Sequence, residues 1–223
     1  MRFTPFLRTA VEASPLSTVH RGNEFERRSL RLLRENLSMS LTRVGGKSDG
    51  GVDLLGWWWL PPRGCTSGAT ATHERRRLRV LAQCKAEKKK MGPAYLRELE
   101  GVVYKHSVAH DRSADTEPTG SKQPIVGLLI SQSEFTRASM LAAQASPVPL
   151  LLLYLPGLHG EGGIGSAVWN AALGAEKGLL GAELEMRWER DPSGTEGRPG
   201  LWWRGARLES WVPDGEPSRL ENV

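Results

Sequence analysis

Cysteine is nearly absent from this chain. Cys65 and Cys84 are the only two, too few for the disulfide framework of a small secreted domain. A zinc site would need cysteine or histidine partners at closer spacing than any here, and the five histidines are scattered singly. Long apolar runs are missing too. No stretch of roughly 18 apolar residues occurs, which excludes a helical membrane span. Pro147–Leu158 is apolar but short and punctuated by prolines. The glycine-rich stretch 156–166 lacks the Gly-Lys-Ser/Thr of a phosphate-binding P-loop and reads as a linker. Acids are missing from the beginning: Arg2 and Arg8 precede the first carboxylate, Glu12, and small and hydroxylated residues continue to Thr18. Residues 1–18 therefore fit a presequence directing the chain to the mitochondrial matrix, or else a disordered tail; Pro5 weakens a helical reading.

What the chain does carry is enough apolar material for a core, at 39% of 223 residues, and an excess of base. The length fits one domain with insertions, or one domain with a small extension. A net charge of +5 and a pI near 9.5 favour acidic partners such as nucleic acid or an anionic membrane surface. The excess is concentrated: His73–Lys90 holds eight basic residues against Glu74 and Glu87. Such a run is either a solvated face or a footprint for a phosphate backbone. Arg75, Arg76, Arg77, Lys88, Lys89 and Lys90 are its candidate nucleic-acid contacts.

Apolar periodicity gives alternating helices and strands. Residues 21–37 form a helix with Phe25, Leu30, Leu33 and Leu37 on one side. Asn23 and Glu26 have the spacing of a capping box, which competes with a site role for Glu26. Met39–Val44 and Gly51–Trp58 read as strands about a glycine-rich turn, with Asp53 inside the second. Trp57, Trp58 and Trp59 continue that strand or stack on bases. Pro61–Arg77 is a loop insertion, and 79–85 the third strand. A helix from Met91 to Ala109 turns Leu96, Leu99, Val103 and Tyr104 inward, followed by a polar insertion at 110–123. Then come a strand (124–131), a helix (134–145) and a strand (148–154). Ile164–Leu180 reads as a helix, and 184–190 and 201–212 as a hairpin packed by Trp188, Trp202, Trp203 and Trp211. The expected organisation is an α/β domain over 19–158, a mixed sheet flanked by helices, with a helix and β-hairpin extension over 159–223.

One constellation carries chemistry. Asp53 lies in an apolar strand, where an unpartnered charge is costly. Gln83 and Lys85 are two apart on the next strand and share a face. If the strands pair, a carboxylate, an amide oxygen and an ammonium converge, which suits a hard cation beside a phosphate. Asp followed by Gln-x-Lys resembles the PD-(D/E)xK nuclease superfamily, and more narrowly the Mrr-like restriction endonucleases. Gly22–Glu26, Gly50–Asp53, Met91–Gly101 and Ser131–Ala138 resemble further segments of that family, in its order. The resemblance implies a restriction-endonuclease-like core with Mg²⁺ or Mn²⁺ as cofactor. It makes Asp53 and Gln83 metal ligands, with Glu26 completing the shell directly or through water, Lys85 the catalytic cation that holds the attacking hydroxide or offsets transition-state charge, and DNA the substrate, with RNA as a second candidate. Gln-Cys-Lys at 83–85 and Arg-Glu-Leu-Glu-Gly at 97–101, with the N-terminal address, are also similar to a fungal family required for respiratory growth. Two alternatives stay open: a nucleic-acid-binding protein without activity on the same fold, and an assembly factor for the respiratory apparatus or mitoribosome.

Overall fold

The computed structural model describes residues 18–44, 50–62, 75–114, 124–157, 163–190 and 197–213. The presequence reading, and most of the two insertions, fall outside these residues. Nine strands form two sheets among them. The larger has the spatial order β1 (Met39–Arg43), β2 (Leu54–Leu60), β3 (Arg76–Lys85), β4 (Ile125–Ser131), β5 (Leu150–Tyr154), β6 (Ser166–Trp169). β1, β2 and β3 are antiparallel, β3, β4 and β5 parallel, and β6 returns antiparallel to β5. The smaller sheet is β7 (Leu184–Arg190), β8 (Gly197–Trp203) and β9 (Ala206–Arg207).

The parallel half requires crossovers, and two helices supply them: α1 (Thr18–Leu37) precedes the sheet, α2 (Pro93–Ala114) links β3 to β4, and α3 (Arg137–Ala145) links β4 to β5. β4 lies at the centre, and its Ile-Val-Gly-Leu-Leu-Ile-Ser is buried at every position, as expected of a strand covered on both faces. One face carries Leu54, Trp58, Val80, Leu128 and Leu153 against Phe25, Leu33 and Leu37 of α1. The small sheet contributes Leu184, Leu201 and Trp203 to this same core. The other face carries Leu81, Leu129, Leu150 and Leu152 against Leu96, Leu99 and Val103 of α2, with Ala143 of α3.

Buried polar groups tie these layers together. Arg28, buried on α1, donates to the carbonyls of Pro156, at 2.7 Å, and Gly157 just beyond β5. Ser38, in the left-handed region at φ 55°, donates to the Glu209 carbonyl and accepts from the Trp211 amide. Through it the chain beyond β9 is held at the start of β1.

Several elements differ from expectation, each for a local reason. α1 begins at Thr18, so Asn23 sits mid-helix and caps nothing. Its side-chain oxygen instead accepts from Arg43, 2.7 Å away. β2 begins at Leu54, and Asp53 occupies a bend before it rather than the strand's middle. β3 begins at Arg76, within the expected loop. Tyr104 is 71% exposed, and Val102 takes the inner position. Ile164–Leu180 is not one helix: residues 166–169 pair with β5, and only the four-residue α4 (Ala171–Gly174) is helical. Asn170 enforces the switch. It caps α4 by accepting from the Leu173 amide, accepts from the Leu150 amide, and donates to the carbonyls of Ser146 and Val148. The second tail strand ends at Trp203 and folds back as β9. Trp203 is buried there, whereas Trp188 is 68% exposed.

The β1–β2 contact is tight at one point. A methyl group at Gly56 would overlap the Ser40 carbonyl and stand 2.7 Å from Leu41 Cα, both backbone atoms. Gly56→Ala is therefore expected to lower unfolding free energy by about 1–3 kcal/mol, measured by urea denaturation. An unchanged midpoint would show that the strands separate without cost.

Candidate functional site

The turn entering β2 places the first site residue. Gly50 and Gly51 take φ of 63° and 88°, which glycine tolerates best. Asp53 is then held between two strands: its carbonyl accepts from the Val44 amide at 2.9 Å and its amide donates to the Ala82 carbonyl at 3.0 Å. Its carboxylate Oδ2 accepts from the Cys84 amide at 2.7 Å. Asp53 thus lies at the end of β3 that carries Gln83 and Lys85.

Those two residues share the α2 face of the sheet. Gln83 is 2% exposed, and its Nε2 donates to Glu98 Oε1 of α2 at 2.7 Å. Lys85 Nζ is 3.9 Å from the same oxygen and 5.4 Å from the centre of the Tyr95 ring. Tyr95 in turn donates to Glu87 at 2.6 Å. The orientation of the Gln83 amide follows from chemistry: reversing it would set two oxygens against each other. Its Oε1 is consequently buried with no hydrogen-bond partner among the described residues, at a cost of about 1–3 kcal/mol.

Glu26 approaches from the other layer. It is paired with Arg43 Nε at 2.5 Å, and Arg43 also reaches Asn23. Glu26 and Asp53 both act on the Cys84 thiol between them. Desolvation first, then these two carboxylates, push that thiol well above its ordinary value, against weaker opposing effects of Ser29 and Lys85. The structure therefore gathers Gln83, Lys85 and Glu98 on one side of β3, and Asp53 and Glu26 around Cys84. Among the described residues no group of three or more His, Cys, Asp and Glu could hold a metal by itself. A cation here would rely on an amide oxygen, and the unpartnered Gln83 Oε1 fits that role.

Glu98 had been given no role by sequence reasoning. Its signal was its spacing: four residues before the inward Val102, it falls on the same helical face. The basic run divides. Lys90 pairs with Glu134 at 2.7 Å, which holds the Glu134 carboxyl below its ordinary value, and Lys89 pairs with Glu87 at 3.5 Å. Lys88 is exposed. Arg75 and Arg77 lie over tryptophan rings, while Arg76 alternates to the α1 face of β3. No helix among the described residues is long and apolar enough to cross a membrane.

A mixed sheet of this order, with acid, amide and ammonium at one strand end, defines an α/β protein with a polar site at a sheet terminus. The chain belongs to the family described as Required for respiratory growth protein 7, which matches residues 17–182. It is 32% identical over 159 residues to an uncharacterized mitochondrial protein of Schizosaccharomyces pombe, covering 70% of this chain and 53% of that one. It is 26% identical to the mitochondrial Required for respiratory growth protein 7 of Vanderwaltozyma polyspora, covering 61% and 63%. The Saccharomyces cerevisiae protein of that name is 33% identical over 130 residues, covering 45% and 53%. The chain thus spans between about half and two thirds of these relatives' lengths. No solved structure matches it. The protein is mitochondrial, as these relatives are, and its family is tied by name to respiratory growth.

The Cys84 environment is open to test. Because the folded thiol holds its proton more tightly than the unfolded one, its contribution is complete below the unfolded value. It is lost as pH rises from there towards the raised folded value. Stability is expected to fall above pH about 9, and Cys84→Ser is expected to remove that fall. Iodoacetamide at pH 8, followed by peptide mass mapping, is expected to leave Cys84 unmodified until denaturant is added. Rapid native labelling would contradict a desolvated thiol.

Proposed function

We propose that this protein is a metal-dependent nuclease of PD-(D/E)xK, Mrr-like type that hydrolyses phosphodiester bonds in DNA, with RNA as the second candidate. Respiratory growth would then depend on it through upkeep of mitochondrial DNA. One observation carries the reading: Asp53, Gln83 and Lys85 lie at one end of adjacent strands, and the buried Gln83 Oε1 has no partner among the described residues. A structural amide at this position would be expected to have both ends satisfied.

Asp53 and Gln83 would hold Mg²⁺ or Mn²⁺, with Glu26 reaching it once released from Arg43 or through water. The ion would supply Lewis acidity toward a phosphoryl oxygen and a bound water of lowered pKa. The protein's own groups have definable tasks. The Cys84 amide fixes the Asp53 carboxylate. Glu98 takes the Gln83 NH₂ group and so turns its oxygen away from α2. Lys85, only 22% exposed, offers a desolvated ammonium to the charge that grows on the phosphate as water attacks phosphorus and the P–O bond breaks.

The full chain with Mg²⁺ or Mn²⁺ is expected to cleave linear or circular DNA, and Asp53→Ala and Lys85→Ala to lose roughly 10²-fold or more. Salt-sensitive binding without cleavage in all three proteins would instead favour a binding module. Neither cleavage nor binding would favour an assembly factor. Gln83→Glu supplies a readout apart from activity. It sets a second carboxylate beside Glu98, so without a cation one of the two holds a proton. Calorimetric titration with Mg²⁺ is expected to show tighter binding than in the native chain, with proton release. An unchanged titration would remove Gln83 from the metal's surroundings.

A further inference from the structure

Beyond Leu81, which α2 covers, the face of β3 that carries Gln83 and Lys85 ends in a row of arginines on tryptophans. Register sets Arg79 opposite Trp57 and Arg77 opposite Trp59. The Arg77 guanidinium lies 4.2 Å from the centre of the Trp57 ring and 5.9 Å from that of Trp59; Arg79 lies 4.8 Å from Trp57. Trp59 meets Trp211 edge-on at 5.9 Å, and Arg75 lies over Trp211 at 4.4 Å. Ser40 accepts from the Trp59 indole at 2.8 Å and fixes that ring.

This row carries charge that no described carboxylate neutralises. Among the described residues no carboxylate pairs with Arg75, Arg77 or Arg79. The strand positions sharing their face on β1 and β2 are Ser40, Thr42, Leu55, Trp57 and Trp59, none of them acidic. On α2 the nearby His106 is pushed toward its neutral form by desolvation first and then by Lys105 and Arg79. Burial holds Arg75 and Arg79 below their ordinary values, Arg77 adding to the effect on Arg79; both stay cationic. Arg77 is exposed.

We propose that Arg75, Arg77 and Arg79, seated on Trp57, Trp59 and Trp211, form a track for one strand of single-stranded nucleic acid at the Arg76 end of β3. Three features select this occupant. Alternate residues of a strand are about 6.7 Å apart, close to the step between successive phosphates of an extended nucleic-acid strand. The row is a single file on one β-strand, matching one backbone rather than the two of a duplex. Guanidinium and indole planes both accept unpaired bases by stacking, whatever their sequence. The inference rests on the nucleic-acid part of the proposed function and not on its chemistry.

The test is binding by the full chain in EDTA, so that affinity is read whether or not the protein cleaves. The probes are a fluorescein-labelled oligothymidine of about twenty nucleotides, a duplex of equal length, and phosphatidylcholine vesicles containing cardiolipin. The single strand is expected to bind tightest and to quench tryptophan emission. Arg77→Gln with Arg79→Gln is expected to weaken it about tenfold or more and to flatten the log–log salt slope by roughly 1.4. Arg77→Lys keeps the charge, so it is expected to keep the slope and lose part of the quench; circular dichroism verifies that the variants are folded. Lys177→Gln, at an exposed lysine outside the basic run, is expected to leave the quench unchanged. Equal binding by the folded double-arginine variant would overturn the track while leaving the nuclease reading standing. Tighter binding of the duplex would overturn the single-strand assignment, and binding of vesicles alone would replace nucleic acid by a lipid surface.

Discussion

β3 is hydrogen-bonded along both edges, antiparallel to β2 and parallel to β4, and the molecule is arranged to make that possible. A strand with both edges paired and both faces covered leaves its backbone fully used, so its side chains alone set its chemistry. Toward its middle these include Leu78, Val80, Leu81 and Ala82. Its two ends carry polar residues: arginines at one end, and at the other Gln83, buried beneath α2, and Lys85. The junction of antiparallel and parallel halves also fixes where the chain can enter. Asp53 reaches β3 because the turn into β2 must close there, and the Cys84 amide receives its carboxylate.

Charge is handled in two ways. Near the site, opposite charges and hydrogen bonds link the layers: Glu26 with Arg43, Glu98 with both Gln83 and Lys85, and Glu134 with Lys90. At the far end of β3, aromatic faces take the place of carboxylates, so the arginines are ordered yet keep their net charge. The same contrast divides the basic run: two lysines are neutralised by nearby acids, and three arginines have no carboxylate partner among the described residues. A polyanion would meet its positive field mainly at the arginines.

Much of the architecture was legible in the sequence. The apolar runs 125–131 and 150–154 could only be buried strands, and the spacing of Phe25, Leu30, Leu33 and Leu37 could only cover one face of a sheet. Legibility failed where a distant partner outweighed local preference. Asn23 and Glu26 have capping chemistry, but Arg43, on a strand 17 or more positions away, takes both. Residues 164–180 have helical composition, but the open edge of β5 recruits 166–169 as a strand. Glu98 was hidden for a similar reason: its contact with Gln83 spans two elements, and helix spacing alone gives it only a direction.

By itself the sequence determined the order of elements, the glycine-dependent turn before Asp53, and the shared face of Gln83 and Lys85, because these follow from local dihedral preference and strand alternation. Tertiary structure decided which groups face one another. It set Glu98 against Gln83, left the Gln83 oxygen buried without a partner among the described residues, committed Glu26 to Arg43, and laid arginines of one strand over tryptophans of another. Such pairings depend on register between strands and on how helices cross them, and burial makes them matter. Once water is excluded, each polar atom must be satisfied by whatever the fold brings beside it.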